Sequence, residues 1–95
     1  MAAIGVLTIE IEIHEAQSLK DKRRVVKSLK DRLRNKFNVS VAETGDLELW
    51  NRSILTVVTV SKDRLYADQL LQAVEKDAAD CLGPGLTGAI LEWLS

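Results

Sequence analysis

The chain has 95 residues, 46% of them hydrophobic, and a single cysteine, Cys81, which supplies material for one core and for no internal disulfide. Its longest apolar run, Ile54 to Val60, falls far short of the ~20 residues that cross a bilayer as a helix; with no signal-peptide pattern, the reducing cytoplasm is the expected compartment. The formal net charge of −1 conceals an asymmetry: Lys20 to Lys36 holds nine of the 13 basic residues and only two acids, Asp21 and Asp31, giving +7 there and −8 elsewhere.

In chain order, Leu7, Ile9, Ile11 and Ile13 alternate with Val6, Thr8, Glu10 and Glu12, which predicts a half-buried strand over Ile4 to Ile13. Ser18 followed three positions later by Asp21 reads as a capping box that opens a helix. Leu19, Val26, Leu29, Leu33 and Phe37 recur at helical spacing with Val25 beside them, and no Gly or Pro intervenes before Asn35 or Lys36, where the helix should end. Val39 and Val41 alternate with Ser40 and Ala42 in a short strand that closes at Thr44-Gly45-Asp46, a composition suited to a turn or bulge. Ser53 to Ser61 is apolar on both sides and predicts a central strand. Ser61 or Asp63 then caps a second helix reaching about Asp80, with Ala67, Leu70, Leu71, Val74 and Ala78 on one stripe. Cys81-Leu82-Gly83-Pro84-Gly85 stops that helix, and Thr87 to Leu94 predicts the last strand. The order β-α-β-β-α-β predicts an α+β, ferredoxin-like sandwich, one domain over residues 1–95: a four-stranded antiparallel sheet, ordered four, one, three, two, with both helices on one face.

Projected at helical spacing, Lys20, Arg23, Arg24, Lys27, Lys30 and Arg34 fall on the arc opposite Leu19, Val25, Val26, Leu29 and Leu33. Lys22 and Lys36 lie towards the apolar edge, where long side chains snorkel. A row of cations at this spacing suits the phosphates of a polyanion, RNA in particular. The alternative is a solvated face in which Lys27 pairs with Asp31 and the acidic remainder meets the other charges.

The outward side of the first strand offers Thr8, Glu10 and Glu12 rather than aromatic rings, so no base-stacking platform is expected. Leu47, Leu49 and Trp50 are candidates for an apolar patch that buries against a second copy; alternatively Trp50 folds over its own core. Enzyme signatures are sparse: His14 is the sole histidine, and Cys81, at a helix C-terminus, reads as a buried inert thiol. Glu10 and Glu12, with Glu43 near them, permit an acid pair or a divalent cation only weakly. Gly83-Pro84-Gly85 lacks the spacing of a phosphate loop. The expectation is a non-enzymatic domain with no cofactor, no resident metal, no small-molecule ligand and no membrane span.

The run Ser18-Leu19-Lys20-Asp21-Lys22-Arg23-Arg24-Val25-Val26-Lys27-Ser28-Leu29, continuing through Asn38-Val39-Ser40-Val41-Ala42-Glu43, resembles the YlxP-like family of small bacterial proteins of unknown function. Leu49-Trp50 and Ser61-Lys62-Asp63 also fit. The resemblance implies a ferredoxin-like fold and carries no reaction and no catalytic residues. Genes of such proteins often lie beside those of translation and ribosome-maturation factors, so it points to RNA or the ribosome as a partner, beside the alternative of a homodimer, formed through strand edges or the open sheet face, whose basic helix meets an acidic protein.

Overall fold

A computed structural model describes residues 1–95. Strand β1 (Ala3–Glu12) leads through a loop to helix α1 (Leu19–Lys36), followed by β2 (Ser40–Gly45), β3 (Arg52–Ser61), helix α2 (Arg64–Leu82), a short 3-10 turn at Gly83–Gly85 and β4 (Leu86–Trp93). The sheet order is β2-β3-β1-β4 and every pairing is antiparallel. This is the ferredoxin-like arrangement predicted from the alternation of elements, with strand boundaries moved by a residue or so.

Local chemistry sets the element ends. At the start of α1, Ser18 Oγ accepts from the Asp21 amide at 3.1 Å, and Asp21 Oδ2 accepts from the Gln17 amide at 3.2 Å. The capping box forms, its carboxylate reaching one residue beyond the cap. Both residues foreseen at the start of α2 act together: Asp63 Oδ1 accepts from the Leu65 and Tyr66 amides, while Ser61 Oγ accepts from the Asp63 amide. The helix runs two residues past the expected end and stops at Gly83, whose φ of 55° is costly for any residue with a Cβ.

The core lies between the sheet and the helices. Leu7, Ile9 and Ile11 of β1, Leu55 and Val57 of β3, Leu33 of α1 and Leu71 and Val74 of α2 are all buried, each worth about 1.5–3 kcal/mol relative to exposure. Val25 is the exception on α1, exposed at 39%.

Two charged residues break the apolar rule on the helices. Asp77, on the α1 side of α2, receives a two-pronged contact from Arg32 (Nε to Oδ2 2.9 Å, Nη2 to Oδ1 3.1 Å) and a third from Lys36 Nζ at 2.7 Å. Its carboxylate is buried at 6% exposure, whereas the two cations keep about half their side-chain surface in water. The acid therefore gains charge-assisted bonds while its partners stay largely hydrated, the inexpensive way to bury a carboxylate. Hydrogen bonds from Arg32 and Lys36 bring its pKa from 3.8 down to about 2.

A depressed acid pKa contributes stability above the unfolded value, which is lost as pH falls from about 4 towards 2. The shift corresponds to about 2 kcal/mol. Thermal melts should show Asp77→Asn about 1–2 kcal/mol less stable than the wild type at pH 7, the gap closing towards pH 2; a gap that stays constant with pH would show that Asp77 acts only through packing.

Candidate functional site

Helix α1 presents the predicted cationic arc to solvent, because Val26, Leu29 and Leu33 turn the opposite side into the core. Structure divides its nine basic residues into three groups. Lys22, Arg32 and Lys36 are consumed by contacts with Glu43 and Asp77. Lys27 and Arg34 both bind Asp31, at 2.7 Å each, and hold its carboxyl below the usual carboxylate range. Lys20, Arg23, Arg24 and Lys30 have no carboxylate partner within salt-bridge distance. The six predicted residues thus share one acid, and the face they form carries +5.

Lys22 was expected to snorkel from the apolar edge; instead it is 1% exposed, at the middle of the buried side. Its ammonium donates to the carbonyls of Asp46 (2.7 Å), Arg52 (3.2 Å) and Leu47 (3.3 Å) and lies 3.0 Å from Glu43 Oε2. Three protons serve four oxygens, so the charge is fully solvated by protein. Glu43 is fixed in turn by the Ser53 hydroxyl at 2.8 Å. It is thereby committed to the helix side of the sheet, opposite Glu10 and Glu12, which removes it from the acid cluster the sequence had permitted.

These contacts fix the β2–β3 connection. The β2 register slips between Glu43 and Gly45, as a bulge does, and Asp46 takes a left-handed φ of 57°, a conformation that Asp tolerates in turns. The Asp46 carbonyl also accepts from the Leu49 amide at 3.1 Å. Held from beneath, the turn leaves Leu47, Leu49 and Trp50 exposed at 53%, 44% and 47%. Trp50 therefore does not close over its own core.

Three of the remaining candidates, Cys81, His14 and Glu12, line one cleft. Cys81 is exposed, not buried as expected, and stands in a cleft of about 510 Å³ beside Arg24. Glu12, Glu15 and Asp21 oppose Arg24 and His14 in that cleft, which therefore has no single sign. His14 is exposed and 3.5 Å from Glu12, which Arg52 also contacts at 3.2 Å. No group of three His, Cys, Asp or Glu side chains converges as a metal site, and no helix is long and apolar enough to cross a membrane.

Replacing Lys22 with Met keeps the stem and deletes the charge, leaving the Glu43 carboxylate without its counter-ion and the Leu47 and Arg52 carbonyls without this donor. The expected cost is about 3–5 kcal/mol, read by chemical denaturation, with faster amide exchange over residues 45–52. A loss below about 1 kcal/mol would show that water replaces the ammonium.

Residues 4–82 match the family described as "Protein of unknown function (DUF503)". The chain is 41% identical over 71 residues to "Uncharacterized protein YlxP" of Bacillus subtilis (strain 168), covering 75% of this chain and 77% of that protein. Among solved structures it is similar to the "De novo designed protein Foldit4", with a TM-score of 0.62 at 11% identity over 100% of this chain and 98% of that one. A dimeric ferredoxin-like protein of unknown function from Thermobifida fusca gives 0.51 at 12% identity over 97% and 91%. At such identities the two structures speak for the fold alone. The family match spans β1 through the end of α2 and takes in both the cationic face and the Lys22–Glu43 contact: the chain belongs to the DUF503 family of proteins of unknown function.

Proposed function

We propose that this chain is a non-enzymatic accessory domain that binds structured RNA, such as a ribosomal surface, through the exposed face of α1. The observation that supports the reading is the pairing pattern on the helix: Lys20, Arg23, Arg24, Lys27, Lys30 and Arg34 share the single acid Asp31, while the other three cations are spent inside the fold. A face of +5 along several helical turns matches the spacing of backbone phosphates and binds by releasing their counterions. The open side of the sheet bears Glu10, Glu12 and Glu92, so RNA is directed to the helix side. The bacterial cytoplasm suits this role, and an exposed lone thiol such as Cys81 suits its reducing conditions.

A second reading is self-association, the basic face then meeting an acidic protein. It is supported by the exposed Leu47, Leu49 and Trp50 on a turn already fixed by Lys22, which lowers the entropy lost on docking. The Thermobifida fusca relative in fold is described as dimeric.

RNA affinity, measured by fluorescence anisotropy on a structured RNA, should fall roughly a hundredfold between about 50 and 200 mM salt if about four phosphates are engaged. The triple variant Arg23→Glu, Arg24→Glu, Lys30→Glu should lose most of the binding, and Lys62→Glu with Lys76→Glu, on and beside α2, should lose little. Absence of binding at low salt, or equal loss in both variants, overturns the RNA reading.

A further inference from the structure

The side of the sheet away from the helices is unusually apolar for a surface facing water. Cross-strand registers arrange it in rows. Val60 and Ile4 form the first, Ser40, Val58, Val6 and Glu92 the second, and Ala42, Thr56, Thr8 and Ile90 the third. Ile54, Glu10 and Gly88 follow, and Arg52 with Glu12 ends the set. An antiparallel sheet with one wet face normally alternates apolar inside with polar outside. Strand β3 does not: its outward residues are Ile54, Thr56, Val58 and Val60, the last exposed at 61%, and Ile90 on β4 is exposed at 56%. No helix or loop covers them.

We propose that this open sheet face is where two copies of the chain meet, packed face to face about a two-fold axis parallel to the strands. The inference rests on the self-association reading and moves its interface from the β2–β3 turn to the sheet.

Two properties of the face select a second copy. The first is area. Four strands of six to ten residues cover roughly 500 Å² in plan, and side-chain relief brings the accessible area towards the ~800 Å² per partner of a standard interface. The second is self-complementarity. A two-fold along the strands lays β1 on the partner's β3 and β4 on its β2 while keeping each row at its own height. Ile4 then faces Val60 of the second copy, Val6 faces Val58, Thr8 faces Thr56 and Ile90 faces Ala42. At the charged end Glu12 faces Arg52 of the second copy, so each carboxylate meets a guanidinium. Glu92 meets only Ser40 at the edge. Glu10 shares its row with Ile54 and so stands over Ile54 of the second copy, but its carboxylate leans across Gly88 of its own chain, which has no side chain to oppose it: a Cβ there would lie 3.0 Å from Glu10 Oε2. Its carboxylate thus points towards the β4 rim and water. Turning the axis across the strands would instead set Glu12 against the apolar end of the partner and bury a charge without a partner.

Light scattering across a concentration series, with circular dichroism to confirm folding, tests the assignment. The wild type should have twice the chain mass at high concentration. Ile90→Lys and Ala42→Glu, both at exposed edge-strand positions, should each weaken dimerisation at least tenfold while the fold survives. The double variant Ile90→Lys with Ala42→Glu should regain the dimer: the two positions are three strand spacings apart within one chain, about 14 Å, and can pair only between copies. Trp50→Ala should remain dimeric. A wild type that stays monomeric overturns both self-association and the face. A dimer that survives Ile90→Lys but is lost in Trp50→Ala overturns the face alone and returns the interface to the turn. Failure of the double variant to recover overturns the two-fold parallel to the strands.

Discussion

The Lys22 ammonium stands where α1, the bulged end of β2 and the turn into β3 converge, and all three take their positions from it. The turn gives the Asp46 carbonyl one amide of its own, that of Leu49, and the carbonyls of Leu47 and Arg52 turn to the ammonium. A buried cation is a costly way to solve this unless every proton finds an oxygen, and here it does. An apolar residue at the same place would leave backbone carbonyls without donors and the Glu43 charge without its counter-ion. Bulge, left-handed Asp46 and exposed tip form one unit with the helix, separated from it by about two dozen residues of sequence.

The fold was legible because each element announces its own period. Strand β1 buries Leu7, Ile9 and Ile11, with Ile13 just past its end, as its alternation required, and the caps at Ser18 and Asp63 act as their spacing required. Even β4, which lies beyond the family-matched residues, forms where Thr87 to Leu94 pointed. What escaped were charged residues with buried roles. At about 100° per residue Lys22 projects between Val26 and Leu29, in the middle of the apolar arc, so its burial was written in the helix; reading every lysine as solvent-seeking hid it. Asp77 similarly projects beside Leu70 at the edge of the α2 stripe. Neither partner set was readable, because Glu43 and the 46–52 carbonyls, or Arg32 and Lys36, come together only when the helices dock. The exposure of Cys81 was missed for a different reason: by spacing it continues the apolar stripe of α2, and only the docked helices show that it borders the cleft beside Arg24 and Val25.

The cationic face was predicted residue by residue, yet its charge was overstated. Counting the helix segment gives +7, whereas pairing inside the fold withdraws three cations and Asp31 moderates two more. The withdrawn charges hold α1 against the hairpin and against α2, so one sequence run both builds the helix platform and dresses its surface. Mutations along it should therefore not be pooled: at Lys22, Arg32 and Lys36 they act on folding, at Lys20, Arg23, Arg24 and Lys30 on whatever the surface meets.

The two-layer build of this domain places its cationic helix and its bare sheet on opposite sides. Joined through the sheets, two copies would form a four-layer slab, with layers about 10 Å apart and the basic helices on its two outer surfaces, facing away from each other. Such an object cannot wrap one duplex with both helices. Its valency is that of a spacer: it could hold two separate anionic surfaces at a fixed distance, and its action would depend on their being two.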